Sequence, residues 1–428
     1  MHAIILSIGD ELALGQTVDT NSAWLAGRLA GLGIPTLKHE TVADDLPALV
    51  ETLKQAADRA DLVLVSGGLG PTEDDLTRDA LAQAMGVPLV EDADALAALL
   101  GFFDGRGYAM PARNRVQALY PDGGATLPNA RGTAPGLRVT LGRATVYVTP
   151  GVPHEMKHMF DAAIEPELVA ASARDGGVRD AILTRKVNTF GIGESDAAER
   201  LGGLMSRDRN PKVGTTVARG YCSIRIRSEF AGVEEAGRAL EATTRDVEAR
   251  LGPLVFGHDD ATLAGDLVAR LRDAGQTVAT AESCTGGLLG GMIVDVPGSS
   301  AVYPGGWVTY SNALKQSQLG VPATLLDAHG AVSAPVVAAM AAGARERAGA
   351  TCAVSISGVA GPDGGTDDKP VGTVWFGLAT PAGVTTHHAR LVGGRAAVRD
   401  RAAKCALQML RFTVMGEDLK QIRWLNRG

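Results

Sequence analysis

The sequence predicts an α/β protein of three parts. These are an N-terminal domain around a parallel or mixed sheet over residues 1–170, a small α+β module over residues 171–257, and a layered α/β domain over residues 258–428. Short apolar runs that read as buried strands alternate with segments of helical spacing, and several of the runs end in glycine loops. The length of 428 residues also exceeds that of one ordinary domain.

The composition is that of a globular protein with an excess of acids. Hydrophobic residues make up 45% of the chain and charged residues 21%, and the formal net charge is −7. This balance argues against a broad nucleic-acid surface, because phosphate binding needs clustered positive charge, but it leaves a local basic patch open. No two of the four cysteines form a CxxC pair, so a zinc site or a disulfide framework is not expected.

The sequence contains no segment of about 18 apolar residues, the length that a membrane-spanning helix needs. The apolar run in MHAIILSIGDE is too short for the core of a signal peptide, and no Lys or Arg precedes it. We therefore expect no membrane association and a cytoplasmic location.

In the N-terminal domain, two predicted strands lead into loops that carry polar residues. AIILSI (Ala3–Ile8) is followed by Gly-Asp-Glu, and DLVLVS is followed by GGLGPTEDD. Between them NSAWLAGRLAGLG has helical spacing, with Asn21 as a cap and Gly33 as a stop. Ligands bind beyond the carboxyl ends of parallel strands, so we expect both loops at one ligand-binding edge.

The middle module has a different pattern. AILTRKVNTFG and GYCSIRIRSEF alternate apolar with polar residues, as half-exposed strands do, while SDAAERLGGLM and GVEEAGRALEATTRDVEARLG have helical spacing. The sequence GIGE between them is interpreted as a glycine turn and not as the GxxG clamp of an RNA-binding KH domain. We expect this module to be a structural connector.

The third part begins with a helix over ATLAGDLVARLRDAG and a strand over TVAT. Further strands are predicted at GGWVTY, CAVSIS, VGTVWFGLA and VTTHHARLV, and helices at APVVAAMAAGARERAG and RAAVRDRAAKCALQML. The connections are long enough for a mixed, layered α/β domain.

The motif TAESCTGG (Thr280–Gly287) raises the question of which side chain is a nucleophile. Ser283 needs a base to take its proton, and Lys315 of TYSNALK, five residues after Tyr310, is the candidate. A lysine acts as a base only when burial or a nearby cation keeps it neutral. Ser–Lys pairs of this kind are a known variant of the catalytic triad. Helix geometry cannot bring residues 283 and 315 together, so two neighbouring strand ends must do it.

The residue types alone also allow a structural interpretation of this motif. Ser283 and Thr285 are common residue types at helix starts and would cap a helix beginning at Gly286 or Leu288. In that case Lys315 would be a solvated surface charge.

Two other side chains compete for the catalytic roles. Cys284 carries the intrinsically better nucleophile, although lone buried cysteines are mostly small core residues. His329 in HGAVSAP is a second candidate base, although Ser333 and Pro335 indicate a loop that leads into a helix.

Two further segments have the character of anion-binding elements. SISGVAGPDGG (Ser355–Gly365) is a strand followed by a glycine-rich turn, which exposes backbone N–H groups to a phosphate or an oxyanion. GGRAAVRD places Arg395 and Arg399 one turn apart at a helix start, where they would hold a phosphate or form an ordinary solvated face.

Seven C-terminal segments in this order resemble the nicotinamide mononucleotide deamidase domain of the CinA family, the competence/damage-inducible proteins: TAESCTGG, DVPGSS, TYSNALK, HGAVS, SGVAGPDGG, KPVGTVWFGLA and GGRAAVRDRA. The resemblance implies hydrolysis of the substrate's carboxamide to nicotinate mononucleotide and ammonia, without a cofactor. It implies Ser283 as nucleophile, with Lys315 and Tyr310 as base and proton shuttle. The residues implied for substrate binding are Gly286, Ser299, Ser300, Gly358, Gly361, Arg395 and Arg399.

The N-terminal segments GDELALGQTVDTNSAWLAGRL, SGGLGPTEDDLTRD, GTAPG and TPGVPHEMKHM resemble the molybdopterin-binding-like domain of the same family. Related domains bind molybdopterin precursors, and in several CinA proteins this domain is implicated in metal-dependent hydrolysis of ADP-ribose. The resemblance implies phosphate contacts from Gly67, Gly68, Gly70 and Thr72 and a divalent metal shared by Asp10, Glu11, Asp74 and Asp75. In the alternative interpretation, the TEDD acids favour the positive end of a helix dipole.

Two classes of function follow from these patterns. The first is an enzyme of pyridine-nucleotide recycling with amidase and ADP-ribose pyrophosphatase activities. The second is an interaction protein of competence or DNA repair, with a recombination or repair protein as partner and an N-terminal domain that only binds a pterin or nucleotide. We expect small-molecule nucleotides as ligands, no direct nucleic-acid contact and a homodimer.

Overall fold

The computed structural model describes residues 1–174 and 180–425. The chain divides into two compact units, Met1–Leu183 with Ser228–Arg238, and Thr184–Arg227 with Ala239–Gly428. The predicted α/β class is confirmed, since parallel and mixed sheets covered by helices form the N- and C-terminal domains. Within the described residues no helix is both long enough and apolar enough to cross a membrane.

The N-terminal domain is built around a six-stranded sheet of order β2-β1-β3-β8-β7-β6. Its strands are β1 (Ala3–Ile8), β2 (Thr36–Val42), β3 (Leu62–Ser66), β6 (Ala125–Leu127), β7 (Gly136–Leu141) and β8 (Ala144–Thr149), and β4 (Leu89–Glu91) pairs separately with β5 (Leu119–Pro121). Its helices are α1 (Asp10–Ala13), α2 (Asn21–Gly31), α3 (Leu46–Arg59), α4 (Thr77–Met85), α5 (Ala93–Asp104), α6 (Pro153–Met159) and α7 (Glu165–Arg174). Strands β2, β1, β3 and β8 run parallel, so their carboxyl ends share one edge.

Both faces of this sheet are buried, which explains the continuous apolar runs in the sequence. In β1, Ile4 and Leu6 pack in a cluster with Leu49 and Leu53 of α3. The alternate residues of β1 pack on the other face, in a cluster with α2 and with residues of the segment that follows β8. The period of two along a strand thus feeds two separate cores.

The helix predicted from NSAWLAGRLAGLG is present, but its predicted cap is wrong. Asn21 is the first residue of α2 and Thr20 precedes it without a capping hydrogen bond from its side chain. The Asn21 amide instead donates to Ser66 Oγ at 2.9 Å and to the carbonyl oxygen of Gly151 at 2.8 Å. Asn21 therefore joins the ends of β3 and β8 across the ligand-binding edge. Gly33, with φ 73°, follows the helix end by two residues.

The middle module has a four-stranded sheet of order β10-β11-β9-β12. Its elements are β9 (Asp180–Thr189), α8 (Glu194–Leu201), β10 (Lys212–Ala218), β11 (Tyr221–Ala231), α9 (Val233–Leu251) and β12 (Val255–His258). The predicted strands and helices are all found, while β10 and β12 are additional. Gly191 and Gly193 lie between β9 and α8, where GIGE makes a strand-to-helix turn.

The C-terminal domain has a five-stranded sheet of order β14-β13-β15-β16-β17. The strands are β13 (Val278–Glu282), β14 (Gly305–Val308), β15 (Cys352–Gly358), β16 (Thr373–Thr380) and β17 (Gly383–Arg390). The helices are α10 (Leu263–Asp273), α11 (Leu288–Val294), α12 (Asn312–Leu319), α13 (Ala323–His329), α14 (Ala334–Ala348) and α15 (Arg395–Met415). Helix α14 packs on one face of the sheet, and α15 packs with α10, α11, β15 and β16.

One buried arginine connects helix α15 to the end of the middle module through hydrogen bonds. Arg411 is 0% exposed, and it donates hydrogen bonds to the Asp266 carboxylate and to the carbonyl oxygens of Pro253 and Val255. Because the carbonyls lie in the segment that leads into β12, this side chain joins two sheets through one helix.

Replacing Arg411 by Met leaves Asp266 with Arg270 as its remaining ion-pair partner and leaves the carbonyl oxygens of Pro253 and Val255 without the Arg411 donor. We expect the free energy of unfolding to fall by about 3–5 kcal/mol, as for other broken buried ion pairs. Differential scanning calorimetry measures the change. The control is Arg390→Met, since Arg390 is exposed at the end of β17. Equal transition temperatures for the two variants would contradict the structural role of Arg411.

Candidate functional site

Three parallel strand ends meet at one edge of the C-terminal sheet. The register pairs Glu282, the last residue of β13, with Val308 of β14 and with Ile356 of β15. The residues that follow these strands therefore lie side by side at the edge where ligands bind in parallel sheets. Ser283 is the first residue beyond β13, and its backbone N–H donates to the Ile356 carbonyl oxygen at 2.9 Å.

Lys315 and Ser283 meet at this edge. Lys315 Nζ lies 3.1 Å from Ser283 Oγ, and the two side chains are 0% and 8% exposed. The predicted juxtaposition through neighbouring strand ends is confirmed, since Lys315 reaches the site from α12, directly after β14. The interpretation of Lys315 as a solvated surface charge is wrong, because the side chain is fully buried.

The hydrogen bonds around Lys315 suit a neutral amine. Nζ donates to the Thr309 carbonyl oxygen at 2.8 Å and contacts the Tyr310 carbonyl oxygen at 3.4 Å, and no carboxylate is among its hydrogen-bond partners. A neutral amine has two N–H groups for the two carbonyls and a lone pair that can accept the Ser283 hydroxyl proton. Burial lowers the pKa of Lys315 from its ordinary value, which favours this state.

The loop after Ser283 is held by Glu282. This carboxylate is 1% exposed and accepts three backbone N–H bonds, from Gly287 at 3.0 Å, Leu289 at 3.0 Å and Gly290 at 2.8 Å. Three bonds from backbone donors compensate the desolvation of a buried carboxylate. Helix α11 begins at Leu288 without a side-chain cap, so the interpretation of Ser283 and Thr285 as caps is wrong.

The first turn of α15 approaches this loop with two arginines. Arg399 donates to the carbonyl oxygens of Cys284, at 3.1 Å, and Thr285, at 2.7 Å. Arg395 donates to the Gly361 carbonyl oxygen at 2.9 Å and to Tyr310 Oη at 3.3 Å. Arg399 therefore fixes the backbone beside Ser283. The exposed Arg395 retains N–H donors for a ligand, since a guanidinium has five.

Tyr310 lies at the mouth of the site and not beside the nucleophile. Its side chain is 62% exposed, and its hydroxyl accepts the hydrogen bond from Arg395. Its backbone carbonyl oxygen, and not its hydroxyl, contacts Lys315. The predicted proton shuttle is thus not aligned with Ser283 in this conformation.

The predicted glycines have different positions around the site. Gly286 is within the loop, and its backbone N–H donates to the Ser283 carbonyl oxygen at 3.1 Å. Gly358 is the last residue of β15, where a Cβ would meet the Thr373 carbonyl oxygen at 2.9 Å, so close packing requires glycine there. Gly361 lies three residues on and accepts the Arg395 bond.

Ser299 and Ser300 do not lie at the carboxyl edge of the C-terminal sheet, where Ser283 and Lys315 meet. The carbonyl oxygen of Val302 accepts from the N–H of Val278, the first residue of β13, and Ser299 is three residues before Val302. The two serines therefore lie near the amino end of β13, whereas Ser283 follows its carboxyl end. A contact between these serines and a substrate at Ser283 is not supported by the placement in this chain.

The competing nucleophile and base are both poorly placed. Cys284 is 6% exposed, and burial raises its pKa to about 11, so its reactive thiolate is scarce at neutral pH. His329 ends α13, and its backbone carbonyl oxygen accepts from Lys369 Nζ at 2.8 Å. Its ring is exposed, whereas Ser283 is bonded to the buried Lys315. Ser333 precedes α14 as predicted, but its hydroxyl donates to the Gly330 carbonyl oxygen and does not cap the helix.

A second cleft, of about 370 Å³, lies at the carboxyl edge of the N-terminal sheet. Its lining includes Gly67, Gly68 and Gly70 of the predicted phosphate loop. Gly67 has φ 115°, and a Cβ there would lie 2.4 Å from the Ile8 carbonyl oxygen, so only glycine fits. Arg78, which is 3% exposed, holds the loop by donating hydrogen bonds to the carbonyl oxygens of Leu69 and Gly70.

The four predicted metal ligands are not assembled into one site. Asp75 accepts from the backbone N–H groups of Gly70, at 2.6 Å, and Thr72, at 2.9 Å, and from the Thr72 hydroxyl at 2.5 Å. Its carboxylate therefore closes the glycine loop and also occupies the Thr72 donors that were predicted to hold phosphate. Across residues 1–174 and 180–425, no group of three or more His, Cys, Asp or Glu residues is gathered to hold a metal ion.

Two acids that the sequence reasoning missed also line this cleft, Asp44 and Glu155. The Asp10 N–H donates to the Asp44 carboxylate at 3.0 Å, and the Asp44 N–H donates to the Asp10 carboxylate at 3.1 Å. Burial and the charges of Asp10, Asp74 and Glu11 raise the pKa of Asp44 from its ordinary value. Both acids follow strand ends, β2 and β8, so the edge rule that selected the other acids would also have found them.

The sequence matches three family models in chain order. They are described as a probable molybdopterin binding domain over residues 4–170, a damage-inducible protein CinA KH domain over residues 184–257, and a CinA C-terminal domain over residues 260–414. The middle module, predicted above only as a connector, thus belongs to a named domain family.

Two relatives match nearly the whole chain, and a solved structure matches part of it. A putative competence-damage inducible protein of Symbiobacterium thermophilum is 43% identical over 426 residues, which cover 97% of this chain and 99% of that one. A CinA-like protein of Synechococcus sp. is 42% identical over 416 residues, with 96% and 98% covered. A crystal structure of a competence/damage-inducible protein from Agrobacterium tumefaciens matches 36% of this chain and 93% of its own, with 41% identity and a TM-score of 0.35. The chain belongs to the CinA family of competence/damage-inducible proteins with a molybdopterin-binding-like domain.

The burial of Cys284 predicts a low chemical reactivity that separates it from a catalytic thiol. With a pKa of about 11, we expect Cys284 in the folded protein to react with iodoacetamide at pH 8 roughly a hundredfold more slowly than in the protein unfolded in urea. Mass spectrometry of the peptide that contains Cys284 measures both rates. Equal rates in the folded and unfolded protein would show an accessible thiolate and contradict this placement.

Proposed function

We propose that the C-terminal domain is a Ser/Lys amidohydrolase that hydrolyses the carboxamide of nicotinamide mononucleotide to nicotinate mononucleotide and ammonia. The contact between the fully buried Lys315 Nζ and Ser283 Oγ, at 3.1 Å, is the observation that carries this proposal. An amide is a poor acylating agent, so its hydrolysis needs an activated nucleophile, donors for the oxyanion and an acid for the leaving ammonia.

In the first half of the reaction, Lys315 accepts the hydroxyl proton as Ser283 Oγ attacks the carboxamide carbon. The protonated lysine then gives this proton to the amide nitrogen, so that ammonia leaves and an ester to Ser283 remains. In the second half Lys315 accepts a proton from water, which attacks the ester carbon. Return of the proton to Ser283 Oγ releases the carboxylate product.

The backbone supports the remaining roles. The N–H groups of Cys284 and Thr285 follow the nucleophile and donate to no backbone carbonyl within the described residues, so they are the candidate oxyanion donors. Arg399 holds the Cys284 carbonyl oxygen, which lies in the same peptide plane as the Thr285 N–H, and the Gly286 N–H holds the Ser283 carbonyl oxygen, which lies in the same plane as the Cys284 N–H. Arg395, at the exposed start of α15, is the candidate ligand of the substrate phosphate.

Ammonia release from nicotinamide mononucleotide tests the proposal. Ser283→Ala and Lys315→Met should each lower kcat by a factor of about 10³ or more, because each removes a member of one proton-transfer pair. The matched control is Cys284→Ala, which should keep activity within severalfold of the wild type. Loss of activity in the cysteine variant alone would assign the chemistry to the thiol, and an inactive wild type would reject the deamidase.

The pH dependence gives a second readout of the same pair. The base must be neutral, so the acid limb of kcat/KM should reflect the lowered pKa of Lys315 and lie below the ordinary value of 10.5. Because the folded protein binds this proton more weakly than the unfolded chain, stability contributed at Lys315 is lost as the pH falls through the folded pKa. Lys315→Arg, which stays protonated, should be inactive at every pH.

We also propose that the N-terminal cleft binds a nucleotide with a pyrophosphate group, such as ADP-ribose, and hydrolyses it with a divalent metal. Burial and the charges of three neighbouring acids raise the pKa of Asp44. A cation bound in the cleft would stabilise the ionised carboxylate, which supports the proposal. The carboxylates have the oxygen donors that such ions prefer, but they are not gathered around one point.

Isothermal titration with ADP-ribose, with and without Mg²⁺, tests the second proposal, together with an assay for released AMP. Asp44→Asn, which removes the charge but keeps an acceptor for the Asp10 N–H, should abolish metal-dependent turnover. The control variant is Asp58→Asn, on the exposed side of α3. Binding without turnover in the wild type would make the domain a nucleotide-binding module, and absence of both would reject the proposal.

A further inference from the structure

A second cavity of the N-terminal domain, the α5 groove, is mostly apolar. It has a volume of about 260 Å³ and lies between α5 and the segment that joins β6 to β7. Its apolar lining residues include Ala95, Ala98, Leu99 and Phe102 of α5, and Pro128 and Pro135 of the joining segment. Among the described residues that line the groove, Asp94 carries the only charge, so the lining offers no cation to a phosphate.

Helix α5 leaves its apolar side chains poorly covered. Of its 12 residues, all of which the structure describes, only Leu99 is buried. Phe102 is half-buried and Ala98 is exposed, although both line the groove. Apolar surface that is removed from water stabilises a complex, so this groove favours a flat apolar ligand group.

The α5 groove and the N-terminal cleft are neighbours. Thr133 lines both cavities. Glu155 lines the N-terminal cleft and accepts a hydrogen bond at 2.7 Å from the side-chain amide of Asn129, which lines the groove. A Cβ on Gly132, another groove residue, would lie 2.1 Å from the Glu155 carboxylate. One layer of side chains therefore separates the two cavities, and the two ends of one ligand can occupy both.

Hydrogen bonds within the protein hold both walls of the groove. The Asn129 amide also donates to the Ala134 carbonyl oxygen at 2.9 Å, and its side-chain oxygen accepts from the backbone N–H groups of Arg131 and Gly132, both at 3.0 Å. On the other side, the Asp92 carboxylate caps α5 and accepts from a hydroxyl of β6. The shape of the groove is therefore set before a ligand binds, which lowers the entropic cost of binding.

The two cavities have complementary chemistry. The N-terminal cleft is lined by the glycine loop and by acids, and none of its described lining residues is aromatic. A nucleotide site also needs an apolar or aromatic wall for the base, and Phe102 supplies one in the groove. The exposed Asp94 carboxylate has no hydrogen-bond or ion-pair partner among the described residues, so it is a free acceptor for an N–H group of the base.

We propose that the α5 groove takes the base of the nucleotide whose pyrophosphate lies in the N-terminal cleft, and that it selects a base with an exocyclic amino group, such as adenine. The inference rests on the nucleotide binding proposed above for the N-terminal cleft. It adds the part of the site that recognises the base: Phe102 stacks on the ring, and Asp94 accepts from the amino group.

Isothermal titration of the full-length protein with ADP-ribose and with inorganic pyrophosphate tests the proposal. Ala98→Phe fills the groove and should weaken ADP-ribose binding about tenfold or more, since stacking of a base contributes about 1–3 kcal/mol. Pyrophosphate binding should be unchanged, because this ligand has no base. The matched control is Ala97→Phe, which adds the same side chain at an exposed position of α5 outside the groove lining and should bind both ligands as the wild type does.

A second variant tests the recognition of the amino group. The wild type should bind ADP-ribose more tightly than inosine diphosphate ribose, whose base has a carbonyl oxygen in place of the amino group. Asp94→Asn adds a donor for that oxygen and should shift the preference severalfold toward the inosine ligand. If Ala98→Phe loses the wild-type unfolding transition in calorimetry, this ratio carries the test, and an unchanged ratio would overturn the proposal.

The groove and the proposed function fail in different ways. Equal ADP-ribose affinities of Ala98→Phe and Ala97→Phe, with pyrophosphate bound by both, would overturn the groove as the base site and keep the cleft as a phosphate site. ADP-ribose binding that depends on Ala98 but occurs without turnover would support the groove and reject the hydrolysis. Absence of binding of both ligands to the wild type would reject both. A different sedimentation coefficient for Ala98→Phe alone would assign the groove to an interface between copies of the chain and overturn the proposal.

Discussion

The burial of one lysine is the constraint on which the C-terminal site depends. Lys315 is fully buried beside the ends of β13 and β14, and among the described residues its hydrogen-bond partners are two carbonyl oxygens and the Ser283 hydroxyl. A charged amine in this position would lose its hydration without gaining a carboxylate, so the environment favours the neutral form. The parallel pairing of β13 and β14 sets this geometry, because it places residues separated by 32 positions at hydrogen-bond distance.

Several side chains that look like ligand-binding groups hold backbone instead. Asp75 closes the glycine loop of the N-terminal cleft, and Arg399 fixes the loop after the nucleophile. Glu282 accepts hydrogen bonds from three N–H groups at the start of α11. Buried backbone donors and acceptors need partners wherever a strand ends and a loop begins. The same charged residue types that bind substrates therefore also build the rigid edges on which substrates are bound.

Charges of one sign lie close together at two places, in the N-terminal cleft and on the sheet of the middle module. At the N-terminal cleft, acids crowd around Asp44 and raise its pKa. On the middle module, cations face each other across a strand pair, with Lys212 opposite Arg227. At Asp44 the neighbouring acids disfavour the ionised carboxylate, and the raised pKa is the consequence. A net charge of −7 for the whole chain conceals both.

The sequence by itself determined the three-part α/β organisation. It also determined which strands lead into loops with candidate functional residues, such as AIILSI before Gly-Asp-Glu and TVAT before the serine motif. Apolar runs and their spacing are local properties, so β1 and α15 could be predicted from them. The pairing of Ser283 with Lys315 was instead predicted from the residue types, from their places beside predicted strands and from the family resemblance. Only the tertiary structure decided that Ser299 lies near the opposite end of β13, that Asp75 is occupied by its own loop, and that Tyr310 is exposed. Sheet register and burial decide these points, and both arise from contacts between residues that are distant in the chain.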